Sequence, residues 1–262
     1  MRKVAVVVER AWDPASIELD PVSGAIDFSR AFAVPGPGSL EAVELGLSLG
    51  DVSAYGLGVG SVADLLRLCL ALGASRAVAA PDVYAMAEAM RPETLDLVLV
   101  PNRSGDQGAS ALGPTLAGIL DLPQVTGVDA VRLAEAEAVV IRRLDHGERE
   151  EVALPLPAMI AVEPDIARPR VATPSALIAA QSVEIPTLAA SKLVPRLDFL
   201  GPEPPRPAPP RMPAPDPSLP AEARIGAILA TAAGAPHREL VSGSAEEVAE
   251  RIVQLLEERG YA

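Results

Sequence analysis

Residues 95–126 read LDLVLVPNRSGDQGASALGPTLAGILDLPQVT, and the fold turns on how this stretch is read. Residues 95–100 form a short apolar run, the pattern of a strand buried on both faces of a parallel sheet. Residues 101–108 are rich in Gly, Asn, Ser and Asp, which reach turn conformations closed to bulkier side chains. Leu112, Leu116, Ile119 and Leu120 then recur at the spacing of one helix face. Two readings are open. The segment is a plain βα connection, or its small-residue loop and helix N-terminus, with free N–H groups and a positive dipole end, make an anion site.

The totals narrow the classes. A 49% hydrophobic content suffices for a sizeable core, but aromatics are only 3%, so that core must be built from Ala, Val and Leu. A formal charge of −13 argues against nucleic acid and anionic membrane surfaces as partners. Cys69 is the single cysteine, which rules out an intrachain disulfide, and it falls in an apolar helical run as a small buried hydrophobe. With only His146 and His237 present, a multi-histidine metal site is disfavoured. The first apolar run ends at Glu9, too short for a signal peptide, and no uncharged run reaches membrane-spanning length. The expectation is a cytoplasmic protein without membrane insertion.

Outward from the central stretch, residues 4–8 read as a buried strand and residues 10–30 as loop-rich, with a short edge strand at 25–28. The segment VPGPGS, residues 34–39, is a tight loop in which Ser39 is expected to cap the helix 40–49, with Glu41 in its first turn. A strand at 52–57 is followed by Gly58, and Ser61 with Asp64 resembles a capping box for a helix at 62–72. A strand at 77–80 and a helix at 83–90 complete the approach to residue 95. This alternation with short loops predicts an α/β fold, a doubly wound and mostly parallel sheet. Ligands of such sheets sit at the carboxyl ends of the strands where the strand order reverses. The loops at 8–13, 57–61 and 101–108 are the candidates for that edge, with VPGPGS as a fourth.

Beyond residue 126, segments 129–138 and 139–144 read as strands, with a hairpin turn at Asp145-His146-Gly147 and a return at 148–154. Within that turn His146 reads as an exposed polar residue. Residues 157–162 form another apolar strand. Residues 166–181 follow as a loop and then an Ala-rich helix of low polarity, either a partner contact or an ordinary core helix. Residues 201–220 are half proline and read as an extended spacer. A helix is expected at 221–232. After it, Ser244 and Glu247 form a capping box for a terminal helix whose apolar stripe is Val248, Ile252, Leu255 and Leu256. The domain plan is therefore an α/β domain at 1–195, a linker at 196–220 and a helical arm at 221–262.

Taken together, the segments VERAWD with DPVSG, LEAVELGLSL, LALGASRAV, GDQGASALGPTLAGILDLPQVT and LPLPAMIAVEPDIARPRVATPSALIAA resemble the beta subunit of electron transfer flavoproteins over about the first 190 residues. The resemblance implies a Rossmann-type fold of the adenine-nucleotide alpha-hydrolase kind and an electron carrier with no bond chemistry of its own. It also implies a heterodimer with an alpha subunit that holds the redox FAD, while the beta subunit holds AMP or a second FAD in the cleft. Carried over by position, the cleft would comprise Val7, Gly36, Pro37, Gly38, Ser39, Leu57 and Gly58, together with Asp106, Gln107, Gly108, Ala109, Ser110, Ala111 and Leu112. Pro174, Leu177 and Ile178 match the segment that docks on partner dehydrogenases, and a quinone oxidoreductase or similar acceptor takes the electrons onward. The C-terminal helix matches the arm that packs on the alpha subunit.

Departures from the family pattern are specific. Where the usual loop reads roughly D-G-D-T-G-Q-V-G-P, this chain has Gly108, Ala109 and Ala111, which lack side-chain donors or acceptors. The usual Asn-Pro-Phe turn is Gly36-Pro37-Gly38, and the lysines expected after the docking segment are Ala179, Gln181 and Ser182. A backbone cradle with weakened side-chain recognition of AMP is the expectation. The alternative function is a stand-alone nucleotide-binding regulator of the universal-stress type, which has no use for a C-terminal arm.

Overall fold

The computed structural model describes residues 1–19, 26–27, 30–58, 62–105, 108, 110–192, 218, 220–225 and 243–258. They fall into two compact units, Met1–Leu200 and Gly201–Ala262.

In the first unit, a mostly parallel eight-stranded sheet is built around β1 (Arg2–Val8). After it come β2 (Arg10–Trp12), β3 (Glu18–Leu19), β4 (Ile26–Asp27) and β5 (Ala33–Pro35). The alternating part comprises α1 (Ser39–Leu49), β6 (Gly50–Leu57), α2 (Val62–Leu72), β7 (Arg76–Ala80), α3 (Val83–Met90), β8 (Leu97–Pro101) and α4 (Leu112–Leu120). It is completed by β9 (Gln124–Leu133), β10 (Glu137–Arg143), β11 (Arg149–Pro155), β12 (Ala158–Val162) and α5 (Pro174–Gln181). Strand order in the sheet is β11-β10-β9-β12-β8-β1-β6-β7. Neighbours from β9 to β7 in that order are parallel, and β10 and β11 add an antiparallel extension at one end.

The apolar runs explain why these strands lie centrally. Val4, Val6 and Val8 of β1 face one layer, and Ala5 and Val7 face the other. The same alternation holds in β8, where Leu97 and Leu99 share the first face and Val98 and Val100 the second. A strand buried on both faces has no need of alternating polarity, so its sequence is continuously apolar. Helices α1 and α2 close the first face through Ala42, Val43, Leu65, Leu66 and Cys69. Helices α3 and α4 close the second through Met86, Met90, Leu116 and Ala117. Small residues let these layers approach closely, and Tyr55 is the one aromatic buried among the described residues. Its hydroxyl donates to Glu93 Oε1 at 2.7 Å, and burial is the main cause raising its pKa. Burial likewise pushes the Cys69 thiol up to about 12, so it is inert as a nucleophile.

Three local expectations are revised. Ser39 is not the cap of α1: Gly38 holds that position in a left-handed conformation (φ 79°), and Ser39 is the first helical residue. The Ser39 hydroxyl is fully buried against the end of β1, where it donates to the Glu9 carbonyl and accepts the Glu9 N–H, both at 3.1 Å. Closing the last backbone groups of a buried strand outweighs capping there. Second, the break between β9 and β10 falls at residues 134–136 rather than near 138, with the Ala134 N–H bonding the Glu137 carbonyl at 2.9 Å. An Ala-Glu-Ala turn carries no Gly or Pro punctuation that would reveal it. Third, the stretch at 10–30 contains the ribbon strand β2, paired antiparallel with β5.

His146 sits exposed in the turn between β10 and β11, at a positive φ of 59°. The core-helix reading of α5 does not hold, because only Ala180 of that helix is buried. It packs beside α2, capped by Thr173, whose Oγ1 accepts the Ala176 N–H at 3.3 Å. The following segment seals the free edge of β7 through Ala79, which bonds Pro186 and Leu188 at 2.9 Å each. In the second unit, α6 (Ala245–Glu258) has the expected capping box. The Ser244 N–H donates to Glu247 Oε2 at 2.8 Å and the Glu247 N–H to Ser244 Oγ at 3.3 Å. Ser61 of the other expected box lies outside the described residues, as does nearly all of the proline-rich spacer. Of the helix expected at 221–232, residues 221–225 are described and helical.

Candidate functional site

Strands β6 and β7 lie to one side of β1, while β8 and β12 lie to the other. The chain therefore reverses its direction of travel between β1 and β8, and the crevice at their carboxyl ends is where such sheets hold ligands. A cleft of about 690 Å³ opens at this edge. Its size falls in the range of ligand pockets, about 300–1,000 Å³. The lining comes from the end of β1 and β2 (Glu9 to Trp12), from Leu57 and Gly58, and from Pro81 to Val83. Ser104, Gly105, Ser110, Ala111, Leu112 and Thr115 form the remaining side.

The wall beside α4 is held by a buried polar cluster. Glu163, 4% exposed, accepts from Asn102 Nδ2 at 2.5 Å and from Arg103 Nε at 2.8 Å. Asn102 Oδ1 in turn accepts the Gly127 N–H at 3.2 Å. This network pins the chain just after β8 and delivers Ser104 and Gly105 to the cleft. Gly105 admits no side chain, since a Cβ there would overlap the Cβ of Ala11 across the wall.

The N-terminus of α4 offers an anion less than its position promises. The N-cap is Ala111, which has no side-chain acceptor. The Leu112 N–H is already bonded to Ser110 Oγ at 3.2 Å, and Pro114 has no N–H to give. Among the described residues, Arg10 lines both this cleft and a smaller cavity beside Asp64, Leu65 and Leu68. The guanidinium carbon of Arg10 lies 4.0 Å from the centre of the Trp12 ring, a stacked cation–π pair. The Arg10 Nη1 atom is buried with no hydrogen-bond partner. A buried charged donor without a partner is costly unless a ligand satisfies it.

Asp82 at the rim is fully committed. Burial raises its pKa, but the N–H groups of Ala85, Ser191 and Tyr84 together outweigh that and hold it below the usual carboxylate value. Two of those bonds measure 2.8 Å, from Ala85, and 2.9 Å, from Ser191.

The structure places the expected site residues unevenly. Leu57, Gly58, Ser110, Ala111 and Leu112 line the cleft. Gly36, Pro37, Gly38 and Ser39 stand behind its wall: the Gly36 N–H bonds the Glu9 carbonyl at 2.7 Å, and Pro37 packs toward Gly105. Val7 has its side chain fully buried in the core, not in the cleft. Gly108 is described with φ 69° but does not line the cleft, while Asp106, Gln107 and Ala109 lie outside the described residues. Sequence reasoning missed Arg10, Trp12 and Asp82. The available signal was the chain's single tryptophan, four residues after the end of β1 and two after Arg10 in ERAWD.

On the far side of α2, Val171 is 91% exposed and Ile178 69%, with Pro174, Leu177 and Val183 also exposed. The approach to α5 is fixed by Arg170, whose guanidinium grips Glu44 with bonds of 2.7 and 2.8 Å and whose N–H adds a third at 3.1 Å. The exit is fixed by Arg67 Nε, which donates to the Val183 carbonyl at 3.2 Å.

Fold and cleft together define a doubly wound α/β protein with a nucleotide-sized crevice at its switch point. The electron transfer flavoprotein domain model matches residues 28–193, well over half of the chain, and the protein belongs to that family. Proteins of this family are flavin-associated electron carriers rather than catalysts. Among the described residues, no helix is long and apolar enough to cross a membrane.

Proposed function

We propose that the chain is the beta-type subunit of a heterodimeric electron transfer flavoprotein. It would relay electrons from a flavin-linked dehydrogenase to a quinone oxidoreductase or similar acceptor. The observation that carries this reading is the exposed apolar row of α5, whose helix has no charged residue between Pro174 and Gln181 and is braced at both ends by Arg170 and Arg67. A rigid, apolar, uncharged surface on a chain of charge −13 suits recognition of a partner protein. Pro174, Leu177 and Ile178 are assigned to the dehydrogenase contact.

The remaining parts fit the same division of labour. Residues 1–195 form the cleft-bearing domain, 196–220 a spacer, and 221–262 an arm for the alpha subunit. Ile252, Val253 and Leu256 of α6 are exposed and available for that contact. FAD, held mainly by the alpha subunit, supplies the redox chemistry when bound. This chain contributes one wall of its environment and a structural cleft of AMP size, lined with Leu57, Gly58 and the start of α4. It makes and breaks no bonds itself, and its site of action is cytoplasmic.

Co-expression with an alpha-type subunit tests the proposal. The expected result is a yellow complex in which both chains elute together. Elution of this chain alone, colourless yet binding adenine nucleotide, would favour a stand-alone regulator instead.

A further inference from the structure

We propose that residues 182–191 act as a strap coupling α5 to the rim of the cleft, so that a partner protein held on α5 tightens the wall formed by Pro81, Asp82 and Val83. The proposal rests on reading α5 as a docking surface, and it adds a regulation of the cleft by that contact.

The strap is tied down at three places between the helix and the rim. It leaves α5 at Val183, whose carbonyl accepts Arg67 Nε of α2 at 3.2 Å. Ile185 is then buried in the core layer of α1 and α2, and Leu188 packs against the opposite layer. Alongside these two pegs the backbone follows the edge of β7. The Ala79 N–H donates to the Pro186 carbonyl and the Leu188 N–H to the Ala79 carbonyl, both at 2.9 Å. Three residues on, the Ser191 N–H donates to Asp82 Oδ2 at 2.9 Å.

Asp82 is where the strap meets the cleft. Residues 81–83 line that cleft, and the other oxygen of Asp82 holds the first turn of α3 through the Ala85 N–H at 2.8 Å. One carboxylate therefore fixes the end of the strap, a wall of the cleft and a helix N-terminus. If Ser191 withdraws, the carboxylate loses one of the donors that set its orientation, and its cap on α3 weakens with it.

The seating of the strap is weak enough to be shifted. Glu184, Pro186, Thr187, Ala189 and Ala190 are exposed, so burial anchors little more than Ile185 and Leu188. Segments with few buried apolar contacts open locally at low free energy. A partner that immobilises α5 orders the start of the strap and lowers the entropic cost of seating its end. The linkage is reciprocal, so loosening Asp82 must loosen the strap where it leaves α5.

Amide exchange of the full-length chain, followed residue by residue by NMR, tests the coupling together with the emission of Trp12, which lines the same cleft. Arg67→Ala releases the start of the strap and keeps a good helix former in α2. Exchange at Leu188, Ser191 and Ala85 is expected to rise about tenfold or more, with a shift in Trp12 emission. Arg67 also pairs with Asp64 at 2.8 Å, so Asp64→Ala removes that pair alone and should leave the three amides unchanged. In return, Asp82→Ala should speed exchange at Val183. Faster exchange confined to residues 182–186, with Ala85 and Trp12 unaltered, overturns the coupling and leaves α5 as a docking surface. An Asp64→Ala variant that reproduces the effect of Arg67→Ala assigns it to α2 and overturns the coupling as well. A normal rate of reduction by a partner dehydrogenase in Ile178→Asp overturns the docking reading, and regulation by a partner with it.

Discussion

Asp82 Oδ2 accepts the backbone N–H of Ser191 at 2.9 Å, joining the rim of the cleft to the last described stretch of the first unit. The other oxygen of the same carboxylate caps α3 through the Ala85 N–H at 2.8 Å. One side chain thus closes a helix N-terminus and anchors the chain on its way toward the C-terminus.

Asp82→Ala should destabilise the protein by about 0.5–2 kcal/mol, the usual cost of a lost cap. The effect depends on pH in a defined direction. The carboxyl's folded pKa lies below its ordinary 3.8, so its stabilisation is complete above that value and is lost as pH falls through the folded one. Urea titrations of both proteins at neutral pH and near pH 3 check this: the gap between them should narrow in acid. A gap that widens would mean that the carboxylate form is not what stabilises this corner.

The Glu44–Arg170 grip predicts a local effect. Its hydrogen bonds from Arg170 hold the Glu44 carboxyl below the usual value, yet half of the Arg170 side chain is exposed, so solvent screening keeps its contribution to global stability small. Arg170→Ala should instead speed amide exchange across residues 168–182 while the helix α2 beneath stays protected. Unchanged exchange in that segment would show that the α5 approach is held by something else.

Substituting Ile178 tests the docking surface. Ile178 is 69% exposed, so Ile178→Asp should alter stability by no more than about 0.5 kcal/mol. It should slow flavin reduction by the partner dehydrogenase and leave the heterodimer intact. A normal rate of reduction would remove α5 from the contact.

Much of the fold was legible because periodicity reports burial directly. The apolar run of β1 announces a strand covered on both faces, and the spacing from Leu112 to Leu120 announces α4. The cleft's chemistry was less legible, since it depends on pairings between distant residues. Arg10 and Trp12 reach the cleft only because β2 pairs with β5, more than twenty residues on, and neither strand is long enough to show a period. Ser39 misleads for a related reason. Its position suits a cap, but the end of β1 lies close enough to take its hydroxyl.

Gly105 offers a test of the wall itself. A Cβ at this position would collide with Ala11, so Gly105→Ala should cost about 1–3 kcal/mol and shift Trp12 emission. Adding Ala11→Gly removes the colliding atom and should restore the emission. If the double variant stays as perturbed as the single one, the collision is not the cause.

The most direct measurement of the subunit assignment is native mass spectrometry of this chain purified with its co-expressed alpha-type subunit. The account predicts a species containing one copy of each chain and FAD, and its loss on deleting residues 243–262. A 262-residue chain found only by itself, with no flavin in either fraction, would contradict it.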